Sequence, residues 1–175
     1  MKCKFFFLIP FICIHFCSRL SAQVNLKGDA SLNNSSNQNC ITLTPNESFK
    51  AGGFWSTTPL DLSQSFEIAT TISFGCETDP DTGGDGIAFV IQNQSNDAGI
   101  NAFGGGTLGY AGITTSLAIQ MDTYRENPID FPFVNDPGGG IFNLPYYDHM
   151  ALMLNGQVDH GTAEDIVTVP FTPFY

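Results

Sequence analysis

Apolar and polar residues alternate with a period of two along several short stretches, most clearly over Ser116–Tyr124. Leu117, Ile119, Met121 and Thr123 fall on one face, and Ala118, Gln120, Asp122 and Tyr124 on the other. The pattern predicts a strand whose second face turns polar toward its end, with Gln120, Asp122 and Tyr124 in a row about 7 Å apart. Further strands are predicted at Cys40–Thr44, closed by Pro45-Asn46, at Ala51–Ser56, which carries the single Trp, and at Ser65–Gly75. In the last of these Phe66, Ile68, Thr70 and Ile72 share a face. Ile87–Ile91 is apolar on both faces and reads as a central, doubly covered strand. Met150–Leu154 is the last clear strand, and Asn155-Gly156 after it is a hairpin signal. Between them lie polar Gln23–Asn39 with its Asn33–Asn37 cluster, the acidic turn region Glu77–Gly84, and the glycine-rich stretch Gly99–Gly112. No segment shows a helical period of useful length. Short strands between Gly/Pro turns predict one all-β domain, a sandwich or jelly roll of antiparallel sheets.

The first residues change the picture of where this domain works. Lys2 and Lys4 precede the apolar run Phe5–Cys17, and Leu20-Ser21-Ala22 ends in a small residue. Residues 1–22 read as a signal peptide and 23–175 as the mature domain, secreted to the extracellular space or cell surface. An apolar run of about 13 residues is too short to span a bilayer, so no membrane insertion of the mature chain is expected. Of six Lys+Arg three belong to the leader, whereas all 17 Asp+Glu follow it. That balance argues against nucleic acid and anionic membrane as partners and fits a soluble extracellular protein or a cation binder. Cys40 and Cys76 remain after cleavage, an even pair in an oxidising compartment. A Cys40–Cys76 disulfide is expected, contributing roughly 3–4 kcal/mol on the chain-entropy model; the other reading is two buried thiols.

The candidate chemistry gathers where the Ser116 strand ends. Gln120, Asp122 and Tyr124 are followed by Glu126, Asn127, Asn135 and Asp136, all oxygen donors. Carboxylates and amides on a loop at a strand end suit a hard cation such as calcium, and they equally suit a solvated acidic loop. Gly104-Gly105-Gly106 is followed neither by Lys-Ser/Thr nor by a helix signal, which excludes a phosphate-binding P-loop. Glycoside hydrolysis requires paired carboxylates, and Gln120-Met121-Asp122-Thr123-Tyr124-Arg125 lacks the glutamates of an E-x-D-x-x-E strand. No Ser/His/Asp or Cys/His spacing stands out, so the chain reads as a binder and not an enzyme.

Taken in order, DGIAFVIQN (85–93), GGGTLGYAGI (104–113), SLAIQMDTY (116–124), NDP (135–137) and DHMAL (148–152) resemble the L-type, legume-like lectins of bacterial surface proteins, over roughly Asn39–Gly156. The resemblance implies a concanavalin A-like sandwich of two curved antiparallel sheets with binding loops at one edge of the concave face. It implies a carbohydrate-binding module whose partners are glycans or polysaccharide. Asp85 would follow a cis peptide and accept hydrogen bonds from sugar hydroxyls, with Gly105 and Gly106 as close-approach loop positions. An amide from Asn127 or Asn135 would join them, and Tyr124 would offer its ring to an apolar sugar face. The implied metal residues are Asp122, Tyr124 through its carbonyl, Glu126 or Asn127, Asp136 and His149, with Ca2+ as the main ion. Gln120 stands where the family has a Glu, which argues against Mn2+ or another transition metal in the family's second site. The family carries several more strands after the segment matching Met150–Leu154. The domain is therefore expected to be incomplete at its C-terminus, either as a truncated product or as one part of a longer gene, in which case further domains of a surface protein would join the list of partners. The rival reading keeps the fold and drops the sugar site, leaving a structural or adhesive module.

Overall fold

The structure, a computed structural model, describes residues 24–33, 40–74, 84–95, 98, 100, 105–124 and 148–170. The leader 1–22, Cys76 and the acidic turn region up to residue 83 lie outside the described residues. Among the described residues eight strands form: β1 Val24–Gly28, β2 Ser31–Asn33, β3 Cys40–Thr42, β4 Gly52–Ser56, β5 Gly86–Gln92, β6 Ser116–Asp122, β7 His149–Leu154 and β8 Asp165–Pro170. One 3-10 turn, Gly105–Thr107, is the helical element among them. β1 pairs with β4, β2 with β3, and β5-β6-β7-β8 form a four-stranded sheet; every ladder is antiparallel. The domain is all-β, as the alternation predicts.

Two strand expectations need correction and three strands were not anticipated. Residues 65–74 carry no strand, and Phe66 and Ile68 are exposed. Alternation decides which side chains share a face, but a strand also needs a neighbour to complete its ladder. β5 is not central among the described strands: it pairs with β6 alone and forms one edge of its sheet. Asn155-Gly156 does form a tight turn, with φ of 57° and 70° and the Gln157 N–H donated to the Leu154 carbonyl at 3.0 Å. That is the positive-φ pair of a type I′ turn. The chain then wanders through residues 157–164 before β8 returns, so the hairpin is wider than the dipeptide alone signals. β8 forms because Ile166-Val167-Thr168-Val169 is a β-branched run. β1 and β2 occupy the segment expected to be an irregular polar loop.

The ladders fix the two faces of the large sheet. On one, Phe89, Ile119, Leu152 and Val167 lie in register, beside Ile87, Met121, Met150 and Val169. This apolar face stays half open: Phe89, Ile119, Val167 and Val169 are 37%, 38%, 48% and 46% exposed. The opposite face carries Ala118, Gln120, Asp122, His149, Ala151 and Met153, all buried. Tyr110, Ile113 and Val158 pack on it, with Trp55, Ala88, Val90, Leu108 and Ala111 around them. The polar row of β6 is thus the inner one.

At β8 the ladder contains an irregularity: Val167 faces Leu152 but Asp165 faces Met153, so Ile166 is passed over. Three residues apart, Asp165 and Thr168 would point to opposite faces of a regular strand. The bulge re-aims Asp165 so that both face inward, where Thr168 Oγ1 donates to Asp165 Oδ1 at 2.8 Å.

Gly156 and Gly161 both have positive φ, but a Cβ on Gly156 would meet the Ile113 nitrogen at 2.5 Å, whereas Gly161 has open space. Gly161→Ala should cost only the left-handed backbone penalty of about 1–2 kcal/mol. Gly156→Ala should cost clearly more, because backbone must move as well. Denaturant midpoints of the two variants measure the difference.

Candidate functional site

The site starts at the mouth of β5. The Gly84–Asp85 peptide is cis, as the lectin resemblance implies, and the Asp85 carbonyl accepts the Thr123 N–H at 2.9 Å. This ties the start of β5 to the end of β6. A Cβ built on Gly105 would fall 1.4 Å from Asp85 Oδ2, so the carboxylate lies directly over the glycine backbone and no larger residue fits there. A Cβ on Gly84 would fall 2.6 Å from Tyr124 Cβ and 2.9 Å from the ring, so Tyr124 packs on the residue preceding Asp85. Three of the sugar-site candidates, Asp85, Gly105 and Tyr124, therefore come together. Gly106 is buried within the turn and supports it. Asn127 and Asn135 lie outside the described residues. Asp85 is half-buried, and burial pushes its carboxyl above the usual carboxylate range.

The second part of the site is the polar row under Tyr110. Asp122 is buried at the end of β6, faces His149 across the ladder, and accepts the Tyr124 N–H on Oδ1 at 3.0 Å. A buried carboxylate beside a loop is a fitting anchor for a hard cation. Glu126, Asn127 and Asp136, the remaining calcium candidates, lie outside the described residues. Cys40 begins β3 and is exposed.

One turn of the row further in, buried Gln120 meets two imidazoles in place of carboxylates. Its Nε2 lies 3.3 Å from His149 Nε2 and 2.9 Å from His160 Nε2, and the two imidazole nitrogens are 2.9 Å apart. His160 Nδ1 faces Asp165 Oδ2 at 3.1 Å and Thr168 Oγ1 at 3.0 Å. The Tyr110 hydroxyl reaches Gln120 Oε1 at 2.5 Å and the Gln157 carbonyl at 2.9 Å. Burial raises the Tyr110 pKa, with Asp122 and Asp165 adding to it. Burial opposes ionisation of Asp165, but hydrogen bonds from Thr168, His160 and the Gly161 N–H outweigh it and hold its carboxyl low. A neutral amide turned toward two imidazoles does not fit a hard, manganese-type ion. Among the described residues no three His, Cys, Asp or Glu side chains converge on one point; the third arm here is an amide.

Sequence reasoning singled out Gln120, Asp122 and His149 but passed over Tyr110, His160, Asp165 and Thr168. His160 and Asp165 are close in sequence to His149, yet only the wide loop 157–164 and the bulge in β8 bring them under Gln120. The available signal was three separate polar residues, Gln120, His149 and His160, all destined for one inner face.

Antiparallel ladders throughout, a cis-bonded aspartate over a glycine turn, and a buried acidic strand end define a lectin-type all-β domain. The family described as the legume lectin beta-barrel domain, the L-type lectin domain, matches residues 17–168, and the chain belongs to that family. Among curated proteins it is similar to the pesticidal crystal protein Cry22Aa of Bacillus thuringiensis, 33% identical over 103 residues. That match takes in 59% of this chain and 13% of the length of the crystal protein.

The raised carboxyl of Asp85 has a consequence for stability. Ionisation costs more in the folded chain than in the unfolded one, so the favourable contribution of the neutral acid, complete below the ordinary value of 3.8, is lost as pH rises through the raised one. Asp85→Asn should therefore be more stable than the parent at neutral pH, with the gap closing below about pH 4. Thermal melts of both proteins across that range provide the check.

Proposed function

We propose that this domain is a secreted carbohydrate-binding module, with Asp85 as the principal acceptor of sugar hydroxyls. The observation that carries this reading is the placement of the Asp85 carboxylate over Gly105, with Tyr124 packed on the preceding Gly84. An anionic acceptor, a turn stripped of side chain and an aromatic ring together offer hydrogen bonds and an apolar face to one pyranose. Membership of the legume lectin family supports the same class of ligand. Asn127 or Asn135 would add an amide to the shell.

A calcium ion is proposed beneath these residues, held by Asp122, the Tyr124 carbonyl, Glu126 or Asn127, and Asp136, fixing the loop that follows Tyr124. The ion would supply positive charge and order; the chain's own groups would bind the sugar. The buried Asp122 carboxylate supports this assignment. No reacting group is assigned, since the reading is one of binding. The small share of Cry22Aa that the match covers favours a module that works beside further domains of a surface protein.

Glycan-array binding of the exported protein, with calcium and with a chelator, tests the reading. Charge-assisted hydrogen bonds are worth about 1.5–3 kcal/mol, so Asp85→Asn should weaken binding at least about tenfold. Gly105→Ala should do the same by displacing the carboxylate. Chelation should lower both glycan signal and melting temperature. Array binding that survives in both variants would remove Asp85 from the site.

A further inference from the structure

We infer that Leu108 is a positioning residue for Asp85: its side chain covers the glycine that follows the aspartate, and its backbone closes the turn on which the carboxylate rests. This role rests on the reading of Asp85 as the acceptor of sugar hydroxyls and names what fixes that acceptor in place. Leu108 has φ of 44°, in the left-handed region where a Cβ crowds the following carbonyl oxygen and where glycine or asparagine is the usual occupant. Conformations of this kind persist only where neighbouring groups hold them, and they gather at sites that use the resulting geometry.

The conformation acts through both halves of the residue. The Leu108 N–H donates to the Gly105 carbonyl at 2.8 Å and closes the 3-10 turn Gly105–Thr107. Leu108 and Gly109, with φ of 44° and 74°, then break the right-handed sense of that turn. The side chain meanwhile reaches the mouth of β5. Leu108 Cδ2 lies 3.1 Å from where a Cβ on Gly86 would stand, so the leucine sits against the bare backbone of the first residue of β5.

Asp85 is thereby confined from three directions. Tyr124 packs on Gly84 before it, Leu108 packs on Gly86 after it, and Gly105 lies under its carboxylate. Two of these three contacts run through Leu108, since it also holds the Gly105 turn closed. The left-handed pair is itself braced from behind. Ile100 lies 3.0 Å from the Cβ position of Gly109 and 2.7 Å from that of Gly53 on β4, and Leu108 packs against the core cluster that includes Tyr110 and Val158. A glycine at position 108 would take the same backbone conformation freely and leave Gly86 uncovered. The side chain is what the strained backbone delivers to the site.

Binding to an array of neutral pyranose oligosaccharides and the melting temperature, read side by side on the full chain, test the role. Leu108→Ala should weaken binding of the strongest-bound oligosaccharide at least about tenfold, at a temperature where the variant is fully folded. Leu108→Met, long enough to reach Gly86, should restore most of the affinity. Val158→Ala, a truncation in the same core cluster, should lower the melting temperature and leave affinity at the parental value. Equal affinities in Leu108→Ala and the parent would overturn the assignment and leave the sugar reading standing. If the parent itself binds no oligosaccharide, the sugar reading fails, and a crystal structure of the free Leu108→Ala protein decides the placement. The Asp85 carboxylate should have left its position over Gly105; a carboxylate still in place overturns the assignment. Should Leu108→Ala not fold, Leu108→Gly replaces it in both measurements, because it relieves the backbone and removes only the cover on Gly86.

Discussion

The register of β6 between β5 and β7 is the constraint on which everything else in the large sheet depends. Seven residue pairs join it to β5, from Gly86 opposite Asp122 to Gln92 opposite Ser116, and six join it to β7, from Leu117 opposite Leu154 to Asp122 opposite His149. A slip of one residue would exchange its rows, bringing Leu117, Ile119 and Met121 inward and turning Gln120 and Asp122 out. Gly86 pins the register at one end: with φ of 148° and the Met121 carbonyl 2.3 Å from where a Cβ would stand, only glycine is accommodated. Asp85 is placed by that same residue, because the strand must begin immediately after it.

The inner row of β6 is polar, and this shapes the energetics of the domain. Buried amide and imidazole groups contribute only if every partner is in place, and an incomplete set costs more than an apolar core. Here the set is assembled from five places: Gln120 on β6, His149 on β7, His160 on the loop 157–164, Asp165 and Thr168 on β8, and Tyr110 from the loop ahead of β6. Misregister on any of the three strands would strand several of these groups at once. The polar row thereby specifies one pairing more sharply than the half-open apolar face, where neighbouring side chains are interchangeable in character.

How much of this was legible in the sequence follows from how local each feature is. The two faces of β6 are written in its alternation, and the cluster of Asp85, Gly105 and Tyr124 follows from motif order. The all-β class is visible in the spacing of turns. Which face of β6 is buried is not written there, because Leu117, Ile119 and Met121 look like the obvious inner row. The β8 bulge is invisible as well: one skipped residue, Ile166, decides whether Asp165 faces Thr168 or points away. Without that pairing His160 has no reason to stand out. Residues 65–74 show the opposite failure, a convincing strand pattern in a segment that carries no strand.

The two parts of the site are mechanically continuous through a few rigid residues. Gln120 and Asp122 are consecutive inward positions of β6, about 7 Å apart. Asp122 holds the Tyr124 N–H at 3.0 Å, the Tyr124 side chain packs on Gly84, and Gly84 is joined by its cis peptide to Asp85. Thr123 meanwhile ties the Asp85 backbone to the same strand end. A carboxylate proposed to meet sugar hydroxyls depends on such support, since a binding group is only as well placed as the packing behind it. The histidine cluster supplies the far anchor of that support. It sits where β6, β7 and β8 run side by side, so the contacts among Gln120, His149, His160 and Asp165 also fix the strand end from which Tyr124 and Asp85 are hung.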